Sequence, residues 1–345
     1  MLHAARSTVR PAGAVEPARD AIVVCADAFD AMPLLPPRSV DLVLTSPPYW
    51  GLRTYGLEFN ESILEEWAGA STNLERCPGY AWYRHHGGVL GMEPYPEWYV
   101  AHLVEILERV RGALKEDASL WVNLGDTYFA RWSSIRSNGR QGLAGAGRVR
   151  RHTPSGGWRH DKQLLLLPAR FAIAMQEAGW ILRNDLICAK RNPTPRPESD
   201  RLRLSHEHFF HFVQRTPGAR PRYYYDLTHA EPRALDVVSS DRGAPLAGHS
   251  ATFAASLVRP RILTCCRPSG TVLDPFCGAG TTLAVAVEEG RNAIGFELNR
   301  TFATVAANEL ARTDEHAPMP GLIKIPVEVI DMKGFEGWSR TRILS

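Results

Sequence analysis

Seven short apolar runs, at residues 21–25, 41–46, 119–124, 180–189, 208–213, 271–276 and 293–297, punctuate the chain. Their length and content of Val, Ile, Leu and Phe suit buried strands. Between several of them the apolar positions recur at helical spacing. The longest such stretch is residues 97–114, where Trp98, Val100, Leu103, Val104, Leu107 and Val110 recur with the period of a helix. Residues 171–178, 282–289 and 302–310 repeat the pattern. Alternating strands and helices predict an α/β fold, a largely parallel sheet with helices on both faces. In such sheets ligands bind at the carboxyl ends of the strands, near the point where the strand order reverses.

Three stretches break this regularity. Residues 51–91 are aromatic-rich and poorly periodic, and residues 226–248 are polar and rich in turn formers. Residues 130–162 hold eight Lys and Arg against one acid, Asp161, among six glycines. A basic, glycine-rich segment buries little apolar surface, so it is expected to be a mobile loop. Such a loop could hold phosphates, gaining affinity from released counterions, or could simply be solvated surface. Residues 1–20, rich in Ala, Arg and Pro without an apolar core, are expected to be a disordered tail and not a secretory signal. Residues 312–345 form a C-terminal extension in which 321–332 could add an edge strand.

Composition narrows the class of protein. The 345 residues are 44% hydrophobic and 22% charged, ordinary for a soluble chain. No stretch approaches the roughly 20 apolar residues of a membrane span, so no membrane partner is expected. A net charge of +3 does not by itself argue for a polyanionic partner. The six cysteines form no C-x-x-C pair, and Cys77 near His85 and His86 lacks a fourth ligand, so no metal is expected. Reduced thiols fit a cytoplasmic protein of bacterial, archaeal or phage origin.

Candidate chemistry appears at two strand ends. The run at 271–276 leads into Asp274-Pro-Phe-Cys-Gly-Ala-Gly-Thr-Thr282 and then a helix. Glycines at 278 and 280 allow close backbone approach to a ligand, and the new helix offers free N–H groups. Glu297, ending the next strand, can accept hydrogen bonds from both hydroxyls of a ribose. Two features depart from a dinucleotide site: the spacing is not G-x-G-x-x-G, and Asp274 would repel a pyrophosphate. S-adenosyl-L-methionine, with a cationic amine and no phosphate, suits Asp274. A tight turn around a buried aspartate is the plain structural alternative.

The second strand end runs into Ser46-Pro47-Pro48-Tyr49. The prolines fix φ and remove two N–H donors, so the carbonyls are held without a local competitor. Ser46 Oγ and the Pro47 carbonyl can take both hydrogens of an aromatic amine, directing its lone pair toward an electrophilic methyl. Tyr49 offers a face for an extruded base, worth ~1–3 kcal/mol. Alone, the tetrapeptide could equally be a proline kink in a loop.

Together these features resemble the β-class DNA amino-methyltransferases, the N4-cytosine/N6-adenine family, over residues 21–311. The likeness is carried by residues 44–53 (Leu-Thr-Ser-Pro-Pro-Tyr-Trp-Gly-Leu-Arg), 120–126 (Leu-Trp-Val-Asn-Leu-Gly-Asp), 179–184, 190–197, 223–226 and 273–276. As in that family, the tetrapeptide precedes the cofactor turn. The resemblance implies a Rossmann-like, seven-stranded mixed sheet of permuted order 3-2-1-4-5-7-6, the class I S-adenosylmethionine-dependent methyltransferase fold. The seven runs above take the roles 3, 4, 5, 6, 7, 1 and 2 in chain order, with inserted DNA-recognition segments.

The resemblance further implies that Ser46, Pro47, Pro48 and Tyr49 are catalytic. Asp274, Phe276, Cys277, Gly278, Gly280 and Thr281 would surround the methionine part of the cofactor, with Glu297 on the ribose and Asp27 near the adenine amine. His249 opens a segment that closes over the methionine end, although Ala254 stands where the family more often has proline. Double-stranded DNA is the implied partner, with Arg53, Arg136, Arg140, Arg148, Arg150 and Arg151 as candidate contacts. The usual recognition region, residues 226–248, is short, so residues 51–91 and 130–162 are expected to share recognition. A homodimer and a paired restriction endonuclease are compatible with the family.

Serine at the first tetrapeptide position is commoner in the family's N4-cytosine enzymes, so cytosine is the favoured target and the N6 amine of adenine the alternative. A C5-cytosine enzyme would need a Pro-Cys pair, which does not occur. The competing classes are a nucleotide-dependent oxidoreductase, opposed by Asp274, and a silent DNA-binding relative, opposed by the intact tetrapeptide, Asp274 and Glu297.

Overall fold

A computed structural model describes residues 19–71, 73, 76–136, 148–191, 199–229, 235–240, 253–315, 323–324 and 329–336. Its strands are β1 (Arg19–Cys25), β2 (Val40–Thr45), β3 (Leu114–Leu124), β4 (Trp132–Arg136), β5 (Arg148–His152), β6 (Trp180–Lys190), β7 (His206–Gln214), β8 (Val237–Ser240), β9 (Thr271–Asp274), β10 (Asn292–Glu297) and β11 (Ile323–Lys324). Helices are α1 (Ala28–Ala31), α2 (Ile63–Ala70), α3 (Tyr80–His85), α4 (Pro96–Glu108), α5 (Leu167–Glu177), α6 (Ala255–Cys265), α7 (Thr281–Glu288) and α8 (Arg300–Glu315). None of the described helices is long and apolar enough to cross a membrane.

Among the described residues, nine strands form one sheet in the order β11-β1-β10-β9-β2-β3-β7-β6-β8. The central seven reproduce the implied order, β1 as strand 3 through to β6 as strand 6, and a short strand is added at each edge. Pairing is parallel from β1 to β3 and antiparallel where β7 enters between β3 and β6. Strand β2 is buried at all six positions, as a central strand covered on both faces must be. Side chains alternate between two cores: Ile22 and Val24 of β1 join α4 and α5 on one face, whereas Ala21 and Val23 join α6, α7 and α8 on the other.

Several sequence expectations change. Helix α4 starts at Pro96, where a missing N–H costs nothing, and ends at Glu108, short of residue 114, because turns at 109–113 reverse the chain into β3. Residues 51–91 are not simply irregular: α2 and α3 pack Trp67 and Trp82 edge to face at 4.8 Å and bury Tyr80 and Tyr83 against α4. The basic segment is not a loop throughout. Strands β4 and β5 pair as an antiparallel hairpin, and Arg159 is buried, bonded to Glu97 at 2.9 Å and seated 4.7 Å over the Tyr95 ring. The hairpin tip, 137–147, and the tail, 1–18, lie outside the described residues.

The boundary at 311 also moves. Helix α8 continues to Glu315, β11 lies parallel to β1, and Phe335 is fully buried with its ring 5.4 Å from Phe296 at an edge-to-face angle. Residues beyond 311 therefore complete the core beside β10. Phe335→Ala is expected to cost ~3–5 kcal/mol, the usual loss for truncating a buried phenylalanine; urea unfolding of the full chain measures it.

Candidate active site

The carboxyl ends of β1, β2, β9 and β10 open on one cavity of about 380 Å³. Its wall includes Ser46 to Tyr49 on one side and Asp274 to Ala279 with Glu297 on the other. Because β9 and β2 are neighbours, the two signatures meet directly although 229 positions separate Thr45 from Asp274: Thr45 Oγ1 donates to Asp274 Oδ1 at 2.6 Å.

On the β9 side, the Phe276 N–H also donates to Asp274 Oδ1, at 3.1 Å. Burial pushes the Asp274 carboxyl up to about 6, against the hydrogen bonds from Thr45, Thr282 and the Phe276 amide. Glu297 takes the Gly278 N–H at 3.0 Å on one oxygen and the Asn299 N–H at 2.8 Å on the other. Burial raises it to about 7; the backbone donors oppose the shift and the Asp274 charge adds to it. Gly278 and Gly280 have φ of 52° and 85°, in the region that favours glycine. Gly280 faces α8: a Cβ there would lie 2.9 Å from that of Ala306. Cys277 and Thr281 line the wall, and burial holds the Cys277 thiol protonated. Asp27 lines it too, capping α1 through the Phe29 N–H at 2.9 Å and accepting from the Tyr80 hydroxyl at 3.3 Å.

The tetrapeptide is braced from outside. The Tyr99 hydroxyl donates to the Pro48 carbonyl at 2.9 Å, the Trp50 indole to the Glu93 carbonyl at 2.9 Å, and the Gly51 N–H to the Gly91 carbonyl at 2.8 Å. Tyr49 rests over Gly125, where a Cβ would come 2.8 Å from Cε2 of its ring. Asn123, at the end of β3, directs its amide N–H groups at the Tyr49 hydroxyl (2.7 Å), a Glu207 carboxylate oxygen (2.9 Å) and Ser46 Oγ (3.4 Å). Lys190 pairs with the other Glu207 oxygen.

An acidic end and an end able to hold an amine thus share one cavity. A family model described as DNA methylase matches residues 40–308, a span that takes in both ends. The chain is 34% identical over 296 residues to the type II methyltransferase M.Cfr9I of Citrobacter freundii, covering 84% of this chain and 87% of that one. It is 33% identical over 304 residues to the type II methyltransferase M.SmaI of Serratia marcescens, covering 85% and 92%. The chain belongs to the N6/N4 DNA methylase family. The methylase shares its fold with the PvuII DNA methyltransferase (cytosine-N4-specific), at 17% identity and a TM-score of 0.58 over 85% of this chain and 89% of that one. It also shares it with a Thermus thermophilus protein, a putative DNA modification methylase solved with S-adenosyl-L-methionine, at 20% identity and 0.54 over 90% and 98%.

The methylase brings further residues to the cavity. Asn123 and Lys190 fall in stretches that carry the family likeness, but nothing local marks Glu207, Arg203 or Tyr55, all on the wall. Tyr55 adopts φ 54°, and its carbonyl accepts from the Asn299 side chain at 2.8 Å, tying the loop after the tetrapeptide to the loop after Glu297. Of the candidate DNA contacts, Arg53 lines the cavity; Arg136, Arg148, Arg150 and Arg151 lie on the β4–β5 hairpin. Arg140 and His249 lie outside the described residues.

Raised carboxyls make a stability prediction. A carboxyl whose folded value lies above its unfolded one contributes stability at low pH that is lost as the pH rises to the folded value. Asp274 should therefore cost the ligand-free methylase stability as the pH climbs from the ordinary carboxylate range to about 6, with no further loss above it. Asp274→Asn keeps the Oδ1 acceptor for Thr45 and Phe276 while removing the charge. Its unfolding free energy relative to wild type is expected to rise across that window and level off above it; denaturant unfolding at a series of pH values tests this.

Proposed function

We propose that this methylase transfers a methyl group from S-adenosyl-L-methionine to the N4 exocyclic amine of a cytosine in duplex DNA. The observation that carries the reading is the single cavity faced by both Ser46-Pro47-Pro48-Tyr49 and the Asp274–Glu297 pair. The residues fit the cofactor: two carboxylates and the Gly278 turn suit a molecule with a cationic amine and a ribose diol, and among the described residues no cluster of Lys or Arg stands at that turn for a phosphate. Asp274 would hold the amino end and Glu297 the ribose. S-adenosyl-L-methionine supplies an electrophilic methyl on sulfur.

The chain's own residues do the rest by positioning. The target base leaves the helix to reach the cavity. Tyr49, fixed over Gly125, presents a face for it. Ser46 Oγ and the Pro47 carbonyl accept its two amine hydrogens, and the bond from Tyr99 to the Pro48 carbonyl keeps that backbone rigid. Arg53, on the cavity wall beside the tetrapeptide, takes a phosphate of the bound strand. Ser46 and the cytosine-N4 specificity of the PvuII enzyme that shares the fold support cytosine as the target. The type II designation of the relatives supports a place in a restriction–modification pair.

Tritiated methyl transfer to duplex DNA followed by nucleoside mass spectrometry is expected to give N4-methylcytosine. N6-methyladenine would replace cytosine with adenine, and no incorporation on any DNA would overturn the reading. Ser46→Ala is expected to slow transfer on the order of 10²-fold, the usual loss for one hydrogen-bonding group at a reacting centre, with cofactor affinity unchanged. Asp274→Ala is expected to abolish cofactor binding, read by calorimetry.

A further inference from the structure

We propose that Glu207 is the terminal acceptor of the proton that the target amine loses, reached through the hydroxyls of Ser46 and Tyr49. This rests on amino-methylation being the reaction. After the methyl arrives, the nitrogen is cationic and must shed a proton, and a base seated on Tyr49 covers the floor of the cavity. Ser46 is a poor base, so the structure must provide another destination or leave the proton to water.

The hydrogen bonds provide one. Ser46 Oγ stands 3.5 Å from the Tyr49 hydroxyl, at the outer limit of a hydrogen bond; catalytic contacts of this kind commonly tighten once substrate is bound. The Tyr49 hydroxyl and Glu207 Oε2 stand side by side on one Asn123 nitrogen, at 2.7 and 2.9 Å from it, and the Glu207 charge bears on the phenol. The Asn123 amide sets the direction of the chain. Its side-chain nitrogen lies 2.7 Å from Tyr49 Oη, 2.9 Å from Glu207 Oε2 and 3.4 Å from Ser46 Oγ; its two hydrogens serve the two shorter contacts, so it fills an acceptor position on the Tyr49 hydroxyl and leaves that hydrogen to point onward. Burial and the Glu207 charge hold Tyr49 as a phenol well above its usual range, able to receive one proton while giving another. Lys190 pairs with the far Glu207 oxygen, keeping the near one, Oε2, for the network.

In the step, the amine lone pair forms the N–CH3 bond while the S–CH3 bond breaks, its electrons remaining on sulfur. The nitrogen passes a proton to Ser46 Oγ, the Ser46 proton moves to Tyr49 Oη, and the Tyr49 proton moves to Glu207. Two neutral hydroxyls and one carboxylic acid result, and the acid returns its proton to water between turnovers. Ser46 and Tyr49 touch the base, whereas Glu207 acts through them.

Tyr49→Phe keeps the stacking face and removes one oxygen, and Glu207→Gln keeps an acceptor for Asn123. Each is expected to lower the single-turnover rate roughly tenfold or more, the low end of proton-transfer catalysis. Cofactor and DNA affinities, followed by fluorescence titration, should stay within about twofold for Tyr49→Phe, since stacking supplies the affinity. Wild-type methylase should show a solvent deuterium isotope effect on that rate with a curved proton inventory, and both variants should lose the curvature. A wild-type isotope effect of one, or curvature retained in Tyr49→Phe, would overturn the relay. Methylation of DNA without an isotope effect leaves amino-methylation standing, whereas no methylation at all removes that reading first.

Discussion

Strand β2 lies beside β9, and at their shared carboxyl end Thr45 Oγ1 donates to Asp274 Oδ1 at 2.6 Å inside a fully buried environment. That bond fixes the residue before the tetrapeptide to the acid that opens the turn at 274–282. In a parallel sheet both strand ends open on the same edge, so the bond sets the separation of the two half-sites with little freedom to drift. The outer elements brace one half or the other: Tyr99, Trp50 and Gly91 hold the tetrapeptide, while the Gly280–Ala306 contact seats α7 and its turn. Asn299 joins the two a second time, through Glu297 on one side and the Tyr55 carbonyl on the other.

The same arrangement carries a cost for the empty protein. Burial raises both carboxyls, and the Asp274 charge adds to the shift of Glu297. A cationic ligand reverses this, since it favours the charged form of each acid. The site is therefore less stable empty than filled, a trade that binding sites make repeatedly.

Much of the fold was legible because a central parallel strand leaves a strong trace: residues 42–44 of β2 form an unbroken apolar run, buried on both faces. The strand order came from family likeness, since periodicity says nothing of neighbours. Residues 51–91 were opaque for a physical reason. Helices α2 and α3 span only eight and six residues, too short for an apolar period, and they bury aromatic rings through tertiary contact instead. Arg159 counted as one more surface charge, and only its pairing with Glu97 and its seat on Tyr95 show it to be structural. In the site, Ser46, Asp274 and Glu297 could be read because they sit at strand ends within local patterns. Glu207 could not, because the antiparallel register that sets it opposite Cys188 and beside Lys190 is a long-range property.

That register bears on how serine can serve at the head of the tetrapeptide. An acidic residue there could accept the amine hydrogens and the departing proton with one side chain. A hydroxyl divides the two tasks: it accepts a hydrogen bond well but holds a proton poorly. It can, however, receive and give a proton in one motion, provided a stronger base lies further along and something orients the hydrogens. Asn123 does the orienting and Glu207 supplies the base, one from β3 and the other from β7, adjacent antiparallel strands. A carboxylate in direct contact with the amine would draw its hydrogens regardless of geometry. A hydroxyl leaves alignment to the rigid prolines and, under the proposed function, places the charge further from the cationic cofactor assigned there to Asp274 and Glu297.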